Sequence, residues 1–378
     1  MKNILLASTA IVAFAGAAFA EGHTGVTFSG VASLGYNDTD VDDLILDDDN
    51  DGFYADVEIT IGLVAELDNG LTAAASIDFE DMFDGAGANG DDDAFDGDYE
   101  LSLTSDMAGL YYGDTQFAAE RMWVSAGDME SDGFSEADGE EALRGEVTYG
   151  NVMAQLSYAI ADAAGARNTG DDLEQLSLGV SADVGNFNVV VAYQEEFSNA
   201  VDGAAYVAAN GDITNSEMFG LSVGTSFSGA DIRVAYASDE TTGEDSTGVQ
   251  VAYPFGPVTA TVYYVSESEA LGDNWGANLA YSNGPVAVSF DYDDDQGTEK
   301  YGLEGSYNVG NGIMVYAGYL FFEGLADEDA FYVAGTYDLG SGAEFLVSYA
   351  DGDDVEYEDE IGAGEYQSGT TVEISFAF

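Results

Sequence analysis

Between Gln116 and Glu141 the chain carries Glu120, Asp128, Glu130, Asp132, Glu136, Asp138, Glu140 and Glu141, with Arg121 as the one cation among them. Carboxylates at this density draw cations from solution and repel anions. A second acidic stretch, Asp47-Asp48-Asp49-Asn50-Asp51-Gly52 followed by Glu58, fits the calcium-loop pattern of an EF-hand. The residues after it argue otherwise. Phe53, Ala55, Val57, Ile59 and Ile61 alternate as a strand and carry Glu58 away from the aspartates. What remains is a loose Ca²⁺ site on Asp47, Asp49 and Asp51, with no cofactor required. Gly85-Ala86-Gly87-Ala88-Asn89-Gly90 has the glycine spacing of a dinucleotide loop but no strand–helix unit around it. The single histidine, His23, nucleates neither a Ser-His-Asp triad nor a zinc site, and the chain has no cysteine. Enzyme chemistry is not expected.

The elements that must position these groups follow from composition. Lys2, the apolar run Ile4–Phe14 and Ala18-Phe19-Ala20 read as a secretory signal peptide over residues 1–20, leaving residues 21–378 as one domain. The formal net charge is −67 over 378 residues. Beyond Lys2 the cations are Arg121, Arg144, Arg167, Arg233 and Lys300, too few for a phosphate footprint, so nucleic acid is excluded as a partner. Such acidity alone suggests disorder, but 46% hydrophobic and 12% aromatic content in period-two order argues for folded strands. No later stretch approaches the roughly 20 apolar residues of a spanning helix, so any span is β.

Strand-like runs are joined by nine short turns, among them Asp68-Asn69-Gly70, Gly150-Asn151, Gly256-Pro257 and Gly310-Asn311-Gly312, alternating with longer acidic, glycine-rich connections. In the runs, Val152, Leu156 and Tyr158 oppose Gln155 and Ser157; Phe187, Val189 and Val191 oppose Asn188 and Gln194. The last residues, Thr370–Phe378, place Val372, Ile374, Phe376 and Phe378 on one face and Thr371, Glu373 and Ser375 on the other. Short turns at one end, long loops at the other and run lengths near the 9–11 residues of a tilted span predict a transmembrane antiparallel β-barrel. The turns predict about 16 to 20 strands, with outward faces against outer-membrane lipid. Arg144 and Glu146 alternate with Leu143, Gly145, Val147 and Tyr149, and Arg233 with Ile232, Val234 and Tyr236. These three belong on the wall of the lumen.

The signal peptide, the strand order, Tyr112-Gly113-Asp114 leading into the third long loop and the terminal Phe378 together resemble the alphaproteobacterial porins of the Rhodobacter type. The resemblance implies a homotrimeric general diffusion porin of a Gram-negative outer membrane, its third loop folded into the pore. Carried over by position, it makes Glu120, Asp128, Glu130, Asp132, Glu136 and Asp138 the acidic side of the constriction. The family's basic cluster on the opposing wall cannot be assembled from five scattered cations, so an acidic lumen passing small hydrophilic solutes and favouring cations is expected. Two alternatives stand beside it. A substrate-specific channel needs an aromatic ladder, for which Tyr54, Tyr263 and Tyr316 are the inward candidates. An acidic surface or adhesion protein needs its apolar faces packed on one another.

Overall fold

The computed structural model describes residues 24–38, 52–79, 99–136, 141–160, 173–195, 216–268, 272–323, 328–351 and 366–378. The expected signal peptide, Asp47, Asp49, Asp51 and Asp138 lie outside these residues.

Alternating side chains dictate strands, and the described residues form twenty. The first seven are β1 (Thr24–Asp38), β2 (Gly52–Glu66), β3 (Thr72–Phe79), β4 (Tyr99–Thr104), β5 (Ala108–Asp114), β6 (Glu141–Tyr149) and β7 (Val152–Ile160). Next come β8 (Leu173–Val184), β9 (Phe187–Gln194), β10 (Met218–Phe227), β11 (Ala230–Asp239), β12 (Glu244–Phe255), β13 (Val258–Glu267) and β14 (Asn274–Asn283). The last six are β15 (Val286–Asp295), β16 (Thr298–Gly310), β17 (Ile313–Phe322), β18 (Glu328–Gly340), β19 (Ala343–Asp351) and β20 (Gly369–Ala377). Each pairs antiparallel with its neighbour in sequence, and β1 pairs with β20 from Val31↔Ala377 to Asp38↔Thr370. The sheet therefore closes, and no edge is left with unpaired backbone groups.

The two faces separate by chemistry. Phe28 is 69% exposed, and Leu34, Leu110, Val147, Leu156, Val262 and Val333 are also open outward, packed on no second layer. This is the face of a barrel solvated by lipid, and it removes the packed faces that a soluble adhesion protein would need. Aromatic pairs such as Tyr36–Phe53, Trp275–Tyr292 and Phe331–Tyr349 sit near the long-loop ends of their strands. All nine short turns close hairpins at one end. The other end departs from the expectation of uniformly long connections: β11 and β12 are joined by residues 240–243, and β15 and β16 by Gln296-Gly297 alone. Both residues of that turn take positive φ, 52° and 88°, as a two-residue hairpin twist demands.

Candidate pore constriction

After β5 the chain leaves its place in the sheet and runs along the inner wall of the barrel as the third long loop, through helix α1 (Ala118–Met122) and a 3₁₀ turn, Glu130–Asp132. Its own apolar residues explain why it stays inside. Phe117, Ala118, Ala119, Met122, Ala126, Met129 and Phe134 are all buried against the inner wall. Ala126 and Met129 pack with Ala235, Ala237 and Val265, and Ala119 and Phe134 with Ala192 and Met218, Trp123 touching both groups. Two of the barrel's buried apolar clusters thus lie in this seam between loop and wall.

The wall is cut back to receive it. A Cβ on Gly179 of β8 would strike the carbonyl of Ala118, one on Gly220 of β10 the Trp123 ring, and one on Gly248 of β12 the carbonyl of Ala126. Glycine inside a strand often marks close approach of another backbone, as Gly179 and Gly248 do here, while Gly220 makes room for the Trp123 ring. The wall also completes the loop's hydrogen bonds, which a buried segment cannot leave unmade. The amide of Ala118 donates to Ser157 Oγ (2.8 Å) and that of Ala119 to Ser177 Oγ (2.7 Å). Further along, Ser131 N donates to Ser246 Oγ (2.9 Å) and Ser135 N to Gln194 Oε1 (2.8 Å). At about 1 kcal/mol net for each such bond, the four are comparable to burying one or two large side chains.

The loop's acids do not gather as one set. Asp128 and Glu130 are exposed to the lumen, where their carboxylate oxygens and one of Asp295 lie within 4.8 Å of one another. Asn274 Nδ2 donates to Asp128 O and Glu130 Oε1, both at 3.1 Å, and holds this end of the loop to β14. Partial desolvation by the surrounding loop and wall, then repulsion from Asp295 and Glu130, pushes the Asp128 pKa up to about 6. Asp132 is turned beneath the loop, its Oδ2 accepting Trp123 Nε1 at 2.8 Å. Burial, with repulsion from Asp128, Glu267 and Glu130, raises it to about 7 despite that bond. Glu120 stands at the other end of the loop, accepting from Gln116 Nε2 (3.1 Å), and Glu136 is exposed.

The cations are spread and mostly engaged. Arg144 is on the inner face but only 2% exposed, bound to Thr115 where the loop begins. Glu146 accepts from Gln155 Nε2 (2.8 Å) beside it. Arg233 donates to Ser222 Oγ (2.8 Å). Lys300 of β16 pairs with Asp295 at 3.3 Å. The inward tyrosines are separate. Tyr54 donates to Glu373 (2.6 Å), Tyr263 to Asp293 (2.6 Å), and Tyr316 packs in a group with Tyr332 and Tyr366. On β2, β13 and β17, these three form no ladder.

Sequence reading missed two parts of the site. Asp293 and Asp295 share the inner face of β15 with Asp291, a period-two run of acids opposite Phe290 and Tyr292 that was legible as lumenal. The strand glycines and the apolar residues between the loop's acids also pointed to a docked loop.

A family model described as Gram-negative porin matches residues 7–326. Among solved structures, the chain is similar to a multiply substituted porin from Rh. blastica, with 17% identity, 94% of this chain and 100% of that chain covered, and a TM-score of 0.44. A triple mutant of the Rhodopseudomonas blastica porin aligns with the same coverage, 17% identity and a TM-score of 0.43. No curated protein matches. Coverage of most of the chain by the family model, together with the closed β-barrel, makes this chain a member of the Gram-negative porin family.

Proposed function

We propose that this outer-membrane porin passes small hydrophilic solutes and ions by passive diffusion, with a preference for cations set where the third loop meets β15 and β16. The observation that carries the reading is the placement of Asp128 and Glu130 on the lumenal side of the loop, beside Asp293 and Asp295, with Lys300 as the one neighbouring cation among the described residues. In water, one unit charge about 7 Å from a passing ion contributes about 0.6 kcal/mol, or about threefold in local cation occupancy. Screening by salt reduces that preference. A cation at Asp128, Glu130 and Asp295 would touch all three carboxylates without a dedicated cage, as rapid passage requires.

Three further statements belong to the same reading. Residues 1–20 direct export and are removed. The barrel assembles as a homotrimer, as the family resemblance implies, which cross-linking of the purified protein would resolve. Ca²⁺ associates loosely with the acidic loops and is not required for the pore. Swelling of liposomes in neutral sugars, together with the reversal potential across a planar bilayer under a KCl gradient, tests the whole. Sugar permeation with a cation-signed potential is expected. Correctly inserted protein that passes neither sugar nor ions would overturn diffusion as the function.

A further inference from the structure

Arg144 is placed where a pore-field charge is not expected. It lies on the lumenal face of β6, yet the loop and its neighbours leave it 2% exposed. Its Nη2 donates to Thr115 Oγ1 at 2.8 Å and its Nε to the same oxygen at 3.3 Å. Nη1 reaches Gln155 Oε1 at 3.5 Å, Glu100 and Glu146 stand 3.9 and 3.7 Å away, and the guanidinium lies 4.2 Å over the Tyr111 ring. Withdrawing a guanidinium from water is costly unless its donors and charge are matched, and here they are matched by β4, β5, β7 and its own strand. Thr115 is the first residue beyond β5 and is itself 3% exposed. Three and four residues later the amides of Ala118 and Ala119 meet Ser157 and Ser177.

We infer that Arg144 is a positioning residue: it pins Thr115 at the point where the third loop departs from the wall, so that α1 reaches its seat on β7 and β8. The guanidinium fixes the loop's departure and contributes little to the field seen by passing ions. This rests on the pore reading proposed above, in which the third loop meets the ion path, but its test need not use conduction. The chain contains no cysteine, so a single Ser177→Cys substitution beneath Ala119 provides one thiol, 1% exposed as serine and not in contact with Arg144.

Modification of that thiol by a water-soluble methanethiosulfonate is then compared across backgrounds, with folded barrels selected by heat-modifiable gel mobility. Arg144→Met should raise the rate about tenfold, the loss expected for a hydrogen bond made by a charged group. Thr115→Val, which alters no charge, should raise it in the same direction but less. Arg233→Met, which removes a lumenal arginine whose bond among the described residues is to Ser222 within the wall, should leave it unchanged. An unchanged rate in both Arg144→Met and Thr115→Val overturns the assignment, as does an equal rise in Arg233→Met. If Arg144→Met fails to fold, Thr115→Val against Arg233→Met decides it. Bilayer recordings separate this from the pore reading. A latch variant should gain conductance, whereas a shift in ion preference at constant conductance would make Arg144 a field charge instead.

Discussion

The two halves of the third loop divide the work of placement and chemistry. The root, residues 115–126, is held by its backbone: the Ala118 and Ala119 amides on wall serines, small side chains in the seam, and strand glycines beneath. The tip half, residues 127–136, keeps Met129 and Phe134 buried but turns Asp128 and Glu130 into the lumen beside Asp295. The root could therefore exchange many side chains for others of like size without changing what an ion meets. The tip could exchange its carboxylates for amides of the same shape, which keep the Asn274 bond to residue 130, with little change in where the loop lies. This separation lets one barrel architecture carry different ion preferences.

The comparison can be broken most severely at the root. Gly248→Val puts a side chain against the Ala126 carbonyl, and overpacking of this kind costs about 1–3 kcal/mol. The wall strand is held on both sides by β11 and β13, so the loop should yield first. Single-channel conductance should rise while heat-modifiable mobility stays that of a folded barrel.

At the tip the expected effect is one of charge. Lowering pH from 8 to 5 protonates Asp132 near 7 and Asp128 near 6, so cation preference should fall about threefold through the step of Asp128, which faces the ion path, and little through that of Asp132 beneath the loop. Both folded values lie above the ordinary carboxylate value. The seated loop thus binds protons more readily than a free one, and its seating should strengthen as pH falls through 7 and weaken as pH rises. Slower amide exchange of residues 128–135 at pH 5, after correction for intrinsic rates, is the measurement.

The smallest effect sharpens the tip alone. Trp123→Phe removes the indole donor to Asp132, worth about 1 kcal/mol. That bond favours the ionised carboxylate, so its loss should move the Asp132 midpoint, followed by carboxyl NMR titration, above 7 with conductance little altered.

The barrel was legible because lipid and lumen impose a period of two on each strand. Val152, Leu156 and Tyr158 against Gln155 and Ser157 are enough to orient β7. The nine turns carried the strand count, since Gly and Asn at positive φ mark hairpins locally; the 20-stranded sheet agrees with the upper end of the expected range. The Gln296-Gly297 turn was overlooked because charged residues flank it on both sides and it resembles the acidic loops around it. Placement of the individual acids was not legible. Asp128 and Asp132 are equally acidic and four residues apart, and only the path of the loop over β12 to β14 turns one to water and the other beneath Trp123. Arg144 followed the period correctly to the inner face. Its burial depends on Thr115 and Gln155, brought to it by pairing of β5, β6 and β7.

The central claim is that charge at the loop tip, and not the position of the loop, sets ion preference. It is tested most directly by the reversal potential of the double variant Asp128→Asn and Glu130→Gln under a KCl gradient, beside the unaltered protein. A sharply reduced cation preference at nearly unchanged conductance is predicted. An unchanged reversal potential would place the selective charges elsewhere in the lumen and contradict the account.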